Sequence, residues 1–193
     1  MKTSFPCCAA KGFVLSICVL ISGTFGISKA ATNKKPILIS QATTTRAVVF
    51  ESVTMKAEPF SPTATIAFGS DTRTRLCLFA MDLELLAGEG ANAFSSDVQD
   101  GNGKIYPLKI EYVGRVPDFP GITMIVVRLA DDLGDVGDVL LRLNLHGMSS
   151  NRVRVGIGHT GDGPADDQGA VPTPAPVVPP AADAPLVPAS YTG

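Results

Sequence analysis

Apolar side chains along this chain recur at every second residue, the spacing of strands with one buried face, and no stretch of 10 to 15 residues carries the helical spacing of three to four. Cys77, Phe79, Met81, Leu83 and Leu85 read as the buried face of one strand, with Asp82 and Glu84 turned to water. The same alternation places Tyr106, Leu108, Ile110 and Tyr112 inside against Lys109 and Glu111, and Ile125, Val127 and Leu129 inside against Arg128. Val139, Leu141, Leu143 and Leu145 alternate with Arg142 and Asn144, and Val153, Val155 and Ile157 with Arg152 and Arg154. Two weaker runs, Ala47 to Ser52 and Phe94 to Gln99, bring the expected count to seven. Turn-forming clusters separate the runs: Gly88-Glu89-Gly90, Asp100-Gly101-Asn102-Gly103, Gly134 to Gly137 and His146 to Asn151. Regular strands with short connections predict an all-β fold, an immunoglobulin-like antiparallel sandwich over residues 46–158.

What precedes this pattern is of a different kind. Lys2 and Lys11 flank a basic start, Phe13 to Phe25 is predominantly apolar, and Ser28-Lys29-Ala30 places small residues where a signal peptidase reads. Residues 1–30 therefore read as an export signal cleaved before Ala31, and 31–45 as a linker. The apolar run is about 13 residues against the ~20 of a membrane-crossing helix, so no span is expected in the mature chain. Cleavage removes Cys7, Cys8 and Cys18 and leaves Cys77 without a partner, so no intramolecular disulfide is available in the exported compartment. Cys77 lies in the apolar run Leu76 to Met81 and reads as a small buried hydrophobe rather than a nucleophile. The absence of Trp and of a cysteine pair excludes the antibody type of sandwich.

Charge narrows the partners. With Lys2, Lys11 and Lys29 removed, 13 basic side chains face 18 acidic ones, a net of −5, which gives no electrostatic case for nucleic acid or an anionic membrane. No Lys or Arg follows Arg154, and 8 of the 15 prolines fall between Pro164 and Pro188. Residues 159–193 therefore read as a disordered, semi-rigid Pro/Ala/Asp-rich linker or tail, which predicts either a neighbouring domain beyond Gly193 or a tail that itself reaches into the cell envelope.

The stretch from Val126 to Ile157, with Val139 to Leu145, Gly147, Ser150-Asn151 and Val153 to Ile157, resembles the closing strands of bacterial immunoglobulin-like domains related to the IPT/TIG group. Residues from about Ile37 to Gly158 are also similar to an uncharacterised front region of large exported bacterial proteins, through Thr74-Arg75-Leu76, Leu83-Glu84-Leu85, Glu111 to Gly114 and Val126 to Leu129. The resemblance implies spacer, docking or adhesion modules and supplies no catalytic residues. Asn after Ser tolerates the left-handed backbone expected of a turn at Ser150-Asn151.

Chemistry-bearing patterns are sparse. Asp100 to Gly103 begins like a calcium loop, but Lys104 stands at the next oxygen position and no glutamate closes the frame, so a tight hairpin turn is expected. Asp131, Asp132, Asp135 and Asp138 crowd one turn, where they would either converge on calcium or simply solvate it; the residues leave both readings open. His146 and His159 lie outside the strands, and the carboxylate pairs Asp82 with Glu84 and Glu89 with Asp97 are ordinary charged positions. No catalytic motif, cofactor site or metal site is expected. Arg142, Arg152 and Arg154 form the candidate interaction surface, a basic stripe on an acidic protein suited to an acidic polysaccharide of the cell envelope or to a partner protein's carboxylates. The expected function is a non-catalytic exported module for spacing, adhesion or interaction. The alternative is an accessory domain of an exported enzyme whose catalytic domain follows Gly193.

Overall fold

The computed structural model describes residues 34–67 and 69–174. The export signal expected over 1–30 and the proline-rich run from residue 175 lie outside them. Among the described residues nine strands form: β1 (Ile37–Leu38), β2 (Val49–Glu51), β3 (Arg75–Met81), β4 (Phe94–Gln99), β5 (Ile105–Arg115), β6 (Thr123–Arg128), β7 (Gly137–Leu145), β8 (Met148–Ser149) and β9 (Val153–Ile157). Seven of these have three residues or more, and every pairing between named strands is antiparallel.

The strands join in one continuous sheet that curls on itself, in the order β1-β3-β6-β5-β4-β7 with β9 on the far edge of β7. Strand β5 is the corner. Its first half pairs with β4 through Ile105 to Leu108, and its second half pairs with β6 through Lys109 to Arg115. The curl yields two layers, β1-β3-β6-β5 and β5-β4-β7-β9, the A-B-E-D and C-F-G arrangement of immunoglobulin-like sandwiches. Short parallel bridges, Arg46 to Arg154 and Phe60 to Ile157, bring the front of the chain against β9 on its other side.

Both layers contribute to one core. Leu76, Leu78, Ala80, Ile125 and Val127 come from the first, and Val98, Leu108, Val139, Leu141, Leu143, Val153, Val155 and Ile157 from the second. Alternation therefore reads correctly in β6, β7 and β9. In β3 it is off by one residue: Leu76, Leu78 and Ala80 point inward, and Cys77, Phe79 and Met81 take the outer face. The strand ends at Met81, leaving Leu83 packed at the core margin and Leu85 exposed. In β5 a bulge between Ile110 and Tyr112 adds one residue against β6 and reverses the faces, so Val113 packs on the core and Tyr112 is 48% exposed.

Two boundaries also differ from the composition-based reading. The stretch expected as a linker before residue 46 supplies β1, which pairs with β3 through Ile37–Met81 and Leu38–Ala80. The chain does not leave the domain at Gly158 either, because residues 159–173 run back along it.

The Ser-Asn turn is corrected as well. Left-handed backbone occurs at His146 (φ 49°) and Gly147 (φ 77°), the two-residue β7–β8 hairpin turn. Ser150 and Asn151 are instead buried at the break between β8 and β9. The Ser150 hydroxyl accepts from the Leu143 N–H (3.0 Å) and donates to the Asn151 carbonyl (2.6 Å). The Asn151 side chain accepts from the Leu38 N–H (2.7 Å) and donates to the carbonyls of Leu38 (3.0 Å) and Val171 (3.1 Å).

Candidate interaction surfaces

The arginines lie on the outer face of the β7–β9 layer, as the alternation requires. Leu140 is opposite Arg154, and continuing that register sets Arg142 opposite Arg152. Their surroundings differ. Arg142 has a side chain 40% exposed and donates through Nε to Asp97 (2.9 Å), its cross-strand neighbour on β4. The side chains of Arg152 and Arg154 are only 15% and 16% exposed, because the chain after β9 crosses over them. Arg152 pairs with Asp167 and donates to Gln99 Oε1 (2.5 Å), while Arg154 pairs with Asp166 and donates to the Pro164 carbonyl (2.8 Å).

Backbone contacts fix this strap along its length. The Asp138 N–H donates to the Gly161 carbonyl (2.7 Å) and the Arg152 N–H to the Gly169 carbonyl (2.6 Å). Its end reaches the front of the chain, where Ser40 N–H donates to Thr173 Oγ1 (2.6 Å) and Thr173 N–H to Ser40 Oγ (2.8 Å). Glycine permits the approach: a Cβ on Gly101 would collide with the Asp162 carbonyl, and one on Gly163 with Asp138. Asp166 and Asp167, which composition assigns to a spacer, are thus the counter-ions of two of the three arginines, and Arg142 keeps Asp97 of β4.

The clustered aspartates separate rather than converge. Asp131 pairs with Arg128 (2.6 Å), Asp132 with Lys104 (3.0 Å), Asp135 with His159 (2.5 Å) and Asp138 with Arg46 (2.8 Å). Among the described residues no group of three or more His, Cys, Asp or Glu is placed to hold a metal ion. The Asp100 loop forms the β4–β5 hairpin turn, with Oδ1 accepting from the N–H groups of Asn102 (3.0 Å) and Lys104 (2.8 Å) and Oδ2 from the Tyr106 hydroxyl (3.1 Å).

His146 and His159 join different networks. His146 meets Glu89 at 2.9 Å, and the imidazole of His159 lies between Asp135 and Asp162, which raise its pKa in that order of weight. Glu89 pairs with His146 and Asp97 with Arg142, and Glu84 lies 3.9 Å from Lys34.

The opposite outer face, on β2-β3-β6-β5, is partly exposed: Tyr112 is exposed, and Phe50, Phe79, Met124 and Val126 are half-buried. One row across it reads Phe50, Cys77, Val126 and Tyr112; the next reads Phe79, Met124 and Gly114. Phe50 and Phe79 meet edge to face with centroids 6.4 Å apart, and the Tyr112 ring lies over Gly114. Cys77 is buried in this row, and burial raises its thiol pKa, with the charge of Glu51 adding to the effect.

Beyond the apolar rows the same face turns polar. Arg128 contacts Asp71 at 2.6 Å, and Arg75 contacts Glu111 at 2.6 Å and Asp71 at 2.9 Å. The Arg128 guanidinium holds the Asp71 carboxyl well below the usual carboxylate range. Sequence reading missed this face because β3 is apolar on both sides; the bulge that brings Tyr112 onto it leaves no mark in the alternation.

No protein-family model matches the chain, and no curated protein and no solved structure matches it. Among the described residues no helix is long and apolar enough to cross a membrane.

Proposed function

We propose that the mature protein is an exported, non-catalytic interaction module, akin to the IPT/TIG-related domains it resembles, and that it contacts a partner protein through the outer face of β2-β3-β6-β5. The observation that carries this reading is the contiguous apolar surface of Phe50, Phe79, Met124, Val126 and Tyr112 at positions where an antiparallel sheet facing water carries polar side chains. Aromatic and methionine side chains beside an Arg–carboxylate rim have the composition of a protein–protein contact rather than of a polysaccharide groove. The arginine stripe supports a polysaccharide less well, since Arg152 and Arg154 already have carboxylate partners within the chain.

Topology favours docking over in-line spacing. Leu38 and Thr173 are in contact (3.1 Å from Thr173 Oγ1 to the Leu38 carbonyl), so the chain arrives at and departs from the domain at one place. A domain attached in that way projects sideways and adds little length.

The test compares binding of the mature protein to envelope fractions from its own cells. Phe79→Glu with Val126→Glu abolishes binding on this reading, whereas charge reversal at Arg142, Arg152 and Arg154 changes it less than about threefold. The opposite ranking would return the interface to the arginines. Export is checked separately by N-terminal sequencing of the mature protein, with Ala31 expected first.

A further inference from the structure

The apolar rows of the β2-β3-β6-β5 face continue into the hairpin that joins β5 to β6. Ala80 is opposite Thr123 and Thr123 is opposite Arg115, so the next position along sets Met81, Ile122 and Val116 in line on the same outer face, all half-buried. Residues 116–122 then close the hairpin as Val116-Pro117-Asp118-Phe119-Pro120-Gly121-Ile122, and Phe119 at its tip is 58% exposed. The loop is internally braced: the Val116 N–H donates to the Ile122 carbonyl (3.0 Å), the Ile122 N–H to the Phe119 carbonyl (3.2 Å) and the Phe119 N–H to the Val116 carbonyl (3.3 Å). Pro117 and Pro120 fix two of its φ angles. Its left-handed positions fall on Asp118 (φ 62°) and Gly121 (φ 89°), residue types that tolerate them.

Charge separates this end of the face from the other. Asp71, Arg75, Glu111 and Arg128 are paired with one another, whereas Arg115 and Asp118 are exposed and have no ion-pair partner among the described residues. The tip therefore presents a phenyl ring on a braced loop, a free carboxylate beside it and a free guanidinium at its base. An aromatic ring held in place before binding loses little conformational entropy when a partner closes on it, and such rings carry most of the affinity of protein interfaces. We infer that Phe119 is the anchor of the interface proposed above, entering an apolar socket of the partner protein whose rim carries a cation for Asp118 and an anion for Arg115. The inference rests on that reading of the face and names the residue that dominates its affinity and the chemistry of the surface it meets. A lipid surface fits less well, because the Asp118 carboxylate would enter it beside the ring with no cation to neutralise it.

The experiment measures binding of the protein and its variants to the envelope fraction of its own cells, to that fraction after protease digestion, and to vesicles of phosphatidylethanolamine and phosphatidylglycerol. Phe119→Ala should weaken binding to the intact fraction about thirtyfold or more, and Phe119→Leu, which still fills an apolar socket, less than about fivefold. Asp118→Lys and Arg115→Glu should each weaken it about fivefold or more, by an amount that shrinks as salt is added. All three positions are exposed, so every variant should keep the urea midpoint of the unaltered protein. Digestion should abolish binding, and the vesicles should bind nothing. Unchanged binding by Phe119→Ala overturns the inference: if Phe79→Glu with Val126→Glu still abolishes binding, the face stands without this anchor, and if neither variant changes it, both readings fall. Absence of binding by the unaltered protein also overturns both. Binding that survives digestion or appears on the vesicles overturns the inference in favour of lipid, and self-association of the protein alone that Phe119→Ala abolishes overturns it in favour of a second copy.

Discussion

The two outer faces of the sandwich end in opposite states. One face is basic and is covered by the chain itself: residues 159–173 set Asp166 and Asp167 on Arg154 and Arg152 and donate or accept backbone hydrogen bonds along the way. The other is apolar over β3, β6 and the second half of β5, with Phe79 half-buried and Tyr112 exposed. Charges that look available along a strand are often satisfied by the same chain, and the informative surface is the one whose side chains contradict their exposure.

The comparison is broken most severely at the strap's anchor. Asn151→Ala removes three hydrogen bonds and orphans the buried N–H of Leu38, so urea unfolding should show a loss of about 3 kcal/mol. Phe79→Ala, on the opposite face, loses a half-buried ring and its edge contact with Phe50. The expected cost is about 1 to 2 kcal/mol by the same measurement, with no effect on the strap.

Gly101→Val sharpens the contrast differently, because the added carbons collide with the Asp162 backbone and leave every charge in place. Stability should fall by about 1 kcal/mol while amide exchange at Asp138 and Arg152, donors to the strap's carbonyls, accelerates. An unchanged exchange rate would mean that the strap does not lie where the structure places it.

The smallest effect concerns pH. The pKa of His159 is raised in the fold by Asp135 and then Asp162, so its contribution is fully present below its ordinary value of about 6.5 and is lost as pH rises through the higher folded value. Between about pH 5.5 and pH 9 the strap's root should therefore loosen. After correction for intrinsic exchange, protection at Asp138 should be lower at the alkaline end, and His159→Gln should abolish that dependence.

How far the sequence reached follows from how each feature is encoded. Strands β7 and β9 set apolar inward residues against arginines or asparagine, so their inward faces are legible from two-residue periodicity, whereas β6 is apolar from Met124 through Val127 and takes its phase from Arg128 alone. Strand β3 is apolar at Leu76 through Met81, and a strand without polar residues carries no parity signal; its register is set by β6, through pairs such as Leu78–Ile125. The bulge in β5 is a backbone irregularity that no residue type marks, and it alone moves Tyr112 from core to surface.

The strap was hidden for another reason. Its composition is that of a solvated spacer, and only three-dimensional proximity brings Asp166 and Asp167 to arginines 12 and 15 residues earlier.

The division between a covered basic face and an aromatic one is tested most directly by amide hydrogen exchange of the protein, free and with the envelope fraction that the proposed function names as the source of its partner. Binding should slow exchange in β3, β6 and residues 112–115 and leave residues 152–170 as they were. Slowing confined to the strap and β9, with β3 and β6 unaffected, would contradict the account.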